Sequence, residues 1–206
     1  NASHIVVTQP DDDGLDWDFG WEGNLQFLVL QQNAIVGENA IEADNNPDDH
    51  DSTPRSHPTI YNATFIGSDA DPGEAGKTQR GAVLRRGTAG EIYNAIFAHF
   101  ADTPIDVRDA STVDQTDSGD LVIESSIFWD NANDGWAVEE GDGDNDEGFD
   151  EEAYFEGEAT NRFSDDPDLG DALSLEAPDF APASGSPALE TAATPPGGFF
   201  DATAEF

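Results

Sequence analysis

The chain is 206 residues long and carries 45 acidic side chains against 7 basic ones, so its formal net charge is −38. A surface this acidic repels nucleic acid and anionic membranes, and we therefore expect neither as a partner. Cysteine is absent, which excludes disulfides and thiolate metal sites. The sequence shows no apolar run of membrane-spanning length and no recognisable signal peptide.

Pairs of short strand-like segments follow one another along the first 140 residues. The pairs lie at residues 3–9 and 15–18, 25–30 and 41–44, 60–65 and 83–86, 92–97 and 105–108, and 123–128 and 136–139. Most of the second segments alternate apolar and charged residues, as a strand with one buried face does. Each pair predicts one turn of a coil, and we therefore expect about five coils.

The first segments of the later pairs repeat one apolar pattern. It begins at Leu25, Ile60, Ile92 and Ile123, at intervals of 35, 32 and 31 residues. Such a recurrence indicates one supersecondary unit stacked several times. The alternative is a β-sandwich, but its hairpins need tight Asn-Gly or Asp-Gly turns, and no Asp-Gly pair of this chain is by itself the two-residue connection between paired segments. We therefore predict an all-β fold, a single-stranded solenoid of stacked parallel coils.

The second segments predict an outward ladder of charges. If they stack in register, one column contains Asp16, Glu42 and Asp106, and the other contains Asp18, Asp44, Arg86, Arg108 and Glu139. In this register Arg85 points inward and needs an acidic partner such as Glu42 or Asp44, because an unpaired buried guanidinium is too costly. Alternatively, a bulge before Gly87 turns Arg85 outward.

Two interpretations of this ladder remain. Carboxylates on neighbouring coils would lie about 4.8 Å apart, near the retaining-glycosidase separation, and carboxylates two coils apart about 9.6 Å, near the inverting limit. The catalytic candidates are then Asp18, Asp44, Glu42, Asp106, Arg86 and Arg108. On the other interpretation, opposite charges on adjacent strands form ion pairs that hold the register. The second is favoured, because the four histidines are scattered and add no catalytic cluster.

Two acidic stretches predict calcium sites, since Ca²⁺ takes six to eight oxygen ligands from clustered carboxylates and turn carbonyls. The candidate ligands are Asp142, Asp144, Asp146, Glu151 and Glu152 in the later stretch, and Asp11 and Asp13 in the earlier one. The alternatives are a flexible acidic loop and a solvated acidic turn. Calcium is the expected cofactor, although screening by concentrated salt would relieve the same self-repulsion in a halophilic protein.

Two pairs of polar and aromatic residues recur at equivalent positions. Asn62 and Asn94 stand in the same Ile-Tyr-Asn-Ala sequence, which predicts an asparagine ladder at a corner of the coils. Tyr61 and Tyr93 precede them and are expected to pack on each other across coils. An exposed Trp21 or Trp129 would favour carbohydrate binding.

We expect one domain, with the coils in residues 1–140. Residues 141–206 are predicted to form an acidic calcium-binding-like loop and an extended Pro-rich tail that caps the coils or lies along them. The expected anchors of the tail are Phe180, Leu189, Phe199 and Phe200. The N-terminal end shows no cap, so we expect it to contact a second copy, a neighbouring domain or solvent.

Five segments carry a resemblance to a known group. They are GLDWDFGWEGNLQFLVLQQ, AIEADNN, PTIYNATFIG, LRRGTAGEIYNAIF and the late APDFAPASGSPAL. In these segments the chain resembles bacterial cell-surface proteins of the pectin-lyase-like superfamily, which form right-handed parallel β-helices. The resemblance implies that fold and an extracellular or cell-surface location. Polysaccharide lyases on this fold combine acidic calcium ligands with a basic residue, but many members have no known reaction.

Three classes of function follow from these observations. The leading one is a non-enzymatic structural or adhesive β-helix, stabilised by Ca²⁺ or high salt and able to join a larger assembly. The second is a polysaccharide lyase or glycoside hydrolase that uses the Asp/Glu/Arg ladder. The third is a carbohydrate-binding module without turnover, with a polysaccharide as its partner.

Overall fold

The computed structural model describes residues 1–68, 79–131, 136, 145–190 and 192–203. Its strands are β1 (Ala2–Thr8), β2 (Leu15–Trp17), β3 (Asn24–Gln31), β4 (Asn39–Asp44), β5 (Thr59–Ile66), β6 (Arg80–Arg85), β7 (Gly90–Ala98), β8 (Ile105–Val107), β9 (Leu121–Glu124), β10 (Ile127–Trp129) and β11 (Arg162–Phe163). The helices are α1 (Ala110–Ser118), α2 (Glu151–Gly157) and a short 3-10 helix (Pro187–Leu189). No helix in these ranges is long and apolar enough to cross a membrane.

The strands form two parallel sheets that the chain visits in turn. The first sheet has the order β1-β3-β5-β7-β10-β11, with β9 also paired to β7, and the second has the order β2-β4-β6-β8. Every pairing between these strands is parallel. Since β1 to β8 alternate strictly between the sheets, the chain coils around a shared core as a parallel β-helix.

The register of the first sheet confirms the repeat found in the sequence. Leu25 pairs with Ile60, Ile60 with Ile92, and Ile92 with Ile123. Five residues later in the repeat, Leu30 pairs with Phe65. Phe65 is the first of a column of stacked rings. That column consists of Phe65, Phe97, Phe128 and Phe163, whose successive ring centroids lie 4.8, 5.4 and 4.9 Å apart. The apolar repeat therefore builds the core directly.

A second column in the first sheet bends each strand. It consists of His4, Phe27, Asn62, Asn94 and Ser125, whose φ angles lie between 53° and 60°. Asparagine tolerates this left-handed conformation better than most residues, which suits it to the corner predicted from the sequence. The Asn62 carboxamide oxygen accepts a bond from Gln26 Nε2 (2.9 Å), whereas Asn94 bonds to the backbone of Ala193 in the tail.

The structure adds elements beyond the predicted coils. Helix α2 begins after Asp150, whose side chain accepts a bond from the Ala153 N–H (2.9 Å), and acidic residues in its first turn suit the helix dipole. Phe155 on this helix is fully buried, and Phe163 in β11 continues the ring column. The acidic stretch is therefore partly helical. In the second segment of the predicted fifth coil, residues 136–139, the structure describes Trp136 alone. The number of five coils therefore stays a prediction.

The C-terminal tail lies along the outer face of the first sheet. Side-chain amides of the sheet hold its backbone: Gln31 Nε2 donates to the Ala172 carbonyl (2.8 Å), and Gln26 bonds both the N–H and the carbonyl of Asp201. Among the four expected anchors, Phe200 is buried against Tyr61 and Phe180 is partly buried. Leu189 and Phe199 stay about 40% exposed. The tail thus packs against the outer face of the first sheet, and the inner face of that sheet contributes to the core.

Candidate functional site

The outer face of the second sheet gathers most of the chain's arginines. Four of the six arginines lie on β6 and immediately after β6 and β8: Arg80, Arg85, Arg86 and Arg108. Strand alternation buries Ile41 and Ala43 of β4 completely and turns Glu42 outward. In a chain with so few basic residues, this concentration makes the face the main candidate site.

The register of the second sheet corrects the alignment made from the sequence. Ile41 pairs with Ala82, so Asp44 lies opposite Arg85. The sequence alignment had placed Val83 opposite Ile41, which put Arg86 in the Asp44 column and Arg85 inside. That alignment was wrong by one residue, because the apolar run Ala82 to Leu84 satisfies two registers equally well.

Four residues form what we call the acid–arginine cluster: Glu42, Asp44, Arg85 and Arg86. Arg85 Nε lies 2.7 Å from Asp44 Oδ1, and Arg85 Nη2 contacts Glu42. Arg86 Nη1 contacts the other Asp44 oxygen. Asp44 is only 6% exposed and binds two guanidinium groups. The prediction that Arg85 pairs with Glu42 or Asp44 is confirmed with both partners, and Arg85 faces outward.

A second set of ion pairs surrounds Asp106. Arg108 Nη2 lies 2.7 Å from Asp106 Oδ2, and Arg80 Nε lies 3.1 Å from the same oxygen. Arg80 also reaches Asp102 at 2.8 Å. The structure thus divides five of the six catalytic candidates between two groups of ion pairs, and it places the sixth, Asp18, exposed just beyond β2. Sequence analysis missed Arg80 and Asp102. Gly81, next to Arg80, lies close to the following coil, since a Cβ there would be 2.1 Å from the Pro104 carbonyl oxygen.

Glu42 has the most unusual titration in the cluster. Burial raises its pKa to about 7, Arg85 opposes this, and the charges of Asp13, Asp44 and Asp16 add to it. The pKa of Asp16, which lies opposite Glu42 on β2, is also raised, first by burial and then by neighbouring carboxylates. A carboxyl group that titrates near neutrality has the protonation behaviour of a general acid.

The structure describes some of the predicted calcium ligands but not all of them. Asp142 and Asp144 lie outside the described residues. Asp146 accepts a bond from the Gly148 N–H (2.8 Å), and Asp13 accepts bonds from the Asn39 backbone (2.9 Å) and side chain (2.8 Å). Across the described ranges, no group of three His, Asp or Glu residues is arranged to hold a metal ion. Calcium binding therefore stays a prediction.

Of the remaining candidate ligands, Glu151 is the one that is buried. Glu151 Oε1 accepts a bond from the Val107 N–H (3.0 Å), which ties α2 to the edge of β8. Burial raises the pKa of Glu151 to about 7, and the charges of Asp106 and Asp146 contribute. Glu152 is partly buried, while Asp11 is exposed. As placed here, Glu151 bonds the protein backbone.

The tyrosines and tryptophans offer little open surface. Tyr61 and Tyr93 stack across coils with ring centroids 4.9 Å apart, as predicted, and burial raises the pKa of Tyr93 to about 12. Trp17 is buried, and the other three tryptophans, among them Trp21 and Trp129, are partly buried. None of the four is an exposed residue.

We expect Arg85→Met to lower the free energy of unfolding by about 1 to 3 kcal/mol, because it removes the arginine partner of Glu42 and leaves the buried Asp44 with Arg86 alone. Asp51→Asn is the matched control, since it removes an exposed ion pair to Arg55 and should cost less than about 1 kcal/mol. Urea unfolding at one fixed high salt concentration measures both. Equal losses would contradict a stabilising role for the acid–arginine cluster.

The raised pKa of Glu42 predicts a pH-dependent stability. Between the ordinary value of 4.5 and about 7, the folded state binds more protons at this group than the unfolded state. Stability should therefore fall as the pH rises through that window, and Glu42→Gln should make the fall smaller. Urea unfolding at pH 5, 6, 7 and 8 measures it, with Glu176→Gln in the exposed part of the tail as the control for loss of one charge. An unchanged slope in Glu42→Gln would contradict the assignment.

Comparison with known proteins supports the fold. Residues 1–165 match the profile of a family described as the pectate-lyase-like β-helix domain, which covers all strands of both sheets. No curated protein and no solved structure matches the chain significantly. The two alternating parallel sheets agree with the matched profile, and the chain belongs to the pectate-lyase-like β-helix domain family.

Proposed function

We propose that this domain is a non-enzymatic structural or adhesive module of an extracellular or cell-surface protein. One observation carries the proposal: arginines neutralise the two buried carboxylates on the charged face of the second sheet. Asp44 and Asp106 are each less than 7% exposed, and each lies against two guanidinium groups. A catalytic carboxylate has to reach its substrate, and these two instead join neighbouring strands.

The ion pairs lie where acidic side chains on neighbouring strands of the second sheet would repel each other. Asp16 on β2 lies opposite Glu42 on β4, and like charges on adjacent strands are destabilising. Arg85 on the next strand offsets this repulsion for β4 by binding Glu42 and Asp44. The arginines therefore hold neighbouring strands of the second sheet in register. The rigid stack that results suits a scaffold.

The acidity suggests the environment in which such a scaffold works. A net charge of −38 on 206 residues is self-repulsive in dilute buffer, and bound cations or concentrated salt relieve it. We propose Ca²⁺, high salt or both as stabilising agents. The partner that this role implies is a second copy or a neighbouring domain at the N-terminal end of the stack.

One observation favours a second candidate, a polysaccharide lyase or glycoside hydrolase. The carboxyl group of Glu42 remains partly exposed and has a pKa near 7, beside a cationic residue. That combination suits a general acid at neutral pH. A carbohydrate-binding module without turnover has weaker support, because the tryptophans are at least partly buried.

We expect the purified protein to leave acidic and neutral polysaccharides intact at pH 6 to 8, because its buried carboxylates are held in ion pairs. Ultraviolet absorbance detects unsaturated products of a lyase, and a reducing-end assay detects hydrolysis. Glu42→Gln, assayed in parallel, separates catalysis by the cluster from contamination. Product release that this variant abolishes would overturn the scaffold proposal in favour of the enzyme.

We expect Ca²⁺ to raise the melting temperature more than NaCl at equal ionic strength, because specific carboxylate sites bind Ca²⁺ beyond general screening. Asp142→Asn combined with Asp144→Asn should remove the excess. Thermal melts followed by circular dichroism measure both effects. An equal response to the two salts would contradict specific sites and leave general screening as the stabilising effect.

A further inference from the structure

A cavity of about 350 Å³ lies between the ends of strands β10 and β11 and the helix α2. Ligand pockets typically measure about 300–1,000 Å³, so this cavity has room for a small molecule. Its wall includes the aromatic residues Trp129 and Trp136 and the acidic residues Asp130, Glu152 and Glu156. Among the described residues that line it there is no lysine or arginine. The cavity therefore combines aromatic and acidic walls.

Trp136 contributes an aromatic ring that the core holds in place. Its ring centroid lies 5.1 Å from that of Phe128 and 5.8 Å from that of Phe155. Phe128 and Phe155 are 3% and 0% exposed, whereas Trp136 itself stays partly exposed. The face of an indole ring attracts cations, and the attraction is stronger where water is excluded. An indole anchored in this way beside a cavity therefore offers a cation an aromatic surface.

Glu152 and Glu156 form the acidic wall on α2. They stand four residues apart, so they are neighbours on one face of the helix. In the part of the chain that the structure describes, neither carboxylate takes part in an ion pair or a hydrogen bond, whereas Asp130 on the opposite wall lies 3.2 Å from His99 Nδ1. Like charges at this spacing destabilise a helix, and its last turn, which contains Glu156, favours a cation. A cationic ligand would relieve both effects.

Elsewhere the chain places arginines beside its enclosed acids. Asp44 and Asp106 each lie against two guanidinium groups. Arg162 stands on β11, close to the cavity in sequence, but it pairs with acids of the tail. Glu152 is partly buried, and no arginine or lysine among the described cavity residues accompanies it. This acidic wall thus differs from the second sheet in having no cation from the described protein.

We propose that this cavity binds an organic ammonium group, with the carboxylates of Glu152 and Glu156 as its charge partners and the Trp136 ring as its aromatic surface. Amino sugars and lysine side chains both carry such a group on an apolar body, which suits a wall of rings and carboxylates. A bare metal ion suits it less well, because aromatic rings supply no oxygen ligands. The inference rests on the proposed adhesive role and names the ligand of that role.

Titration followed by the indole N–H signals in NMR spectra tests the proposal in one fixed salt. The probes are glucosamine and Nα-acetyl-lysine amide, each compared with the form whose amine is acetylated and therefore uncharged. We expect the amines to bind at least about tenfold more tightly than the acetylated forms and to shift the Trp136 signal. The signals of Trp17 and Trp21, on and just after β2, should not move. The amine that binds more tightly identifies the source of the ammonium group.

Two double variants separate the cavity from the general acidity of the chain. Glu152→Gln combined with Glu156→Gln should weaken amine binding at least about tenfold, because it removes both charge partners. Asp117→Asn combined with Glu176→Gln is the matched control, since it removes two charges at exposed positions outside the cavity and should leave amine binding unchanged. Thermal melts followed by circular dichroism verify that both variants are folded.

Four results would overturn the proposal. They are the absence of amine binding, equal binding of the amines and their acetylated forms, equal losses in the two double variants, and binding that leaves the Trp136 signal unchanged. A domain that binds no amine can still be a structural scaffold, which the polysaccharide cleavage assays test separately. Failure of this inference is therefore distinguishable from failure of the proposed function.

Discussion

The structure depends on one constraint: each strand must lie directly on the strand one coil earlier, in a single register. The column of stacked phenylalanines, Phe65, Phe97, Phe128 and Phe163, satisfies that constraint within the core. A slip of one residue would turn the apolar side chains to the outside. Because every coil repeats the same choice, the register of the first sheet is specified several times over, and the corners and tail are built on it.

The second sheet meets the same constraint with charge. Its outer face carries carboxylates on adjacent strands, and the chain has only 7 basic residues to offset 45 acidic ones. Four arginines gather there, so Asp44 and Asp106 are neutralised where burial would make an unpaired charge most costly. Asp16 and Asp18, within and just beyond β2, are exposed instead.

The second sheet therefore combines buried acids that are held in ion pairs with exposed acids at β2. Family membership supports the fold and is compatible with either a surface protein or a polysaccharide-active enzyme. The proposed scaffold role comes from the pairing of the buried acids, and the enzymatic alternative from the near-neutral pKa of Glu42. The two differ in what one face of the second sheet has to do: hold strands together, or meet a substrate.

The sequence by itself determined the coiled architecture and the register among β3, β5, β7, β9 and β10, because Leu25, Ile60, Ile92 and Ile123 are each followed five residues later by a large apolar residue. It could not determine the register of β6, since the run Ala82 to Leu84 reads the same one residue earlier or later. Helix α2 and the double pairing of Asp44 also needed the tertiary structure. Such features depend on contacts between residues about 40 positions apart, which local pattern and spacing do not record.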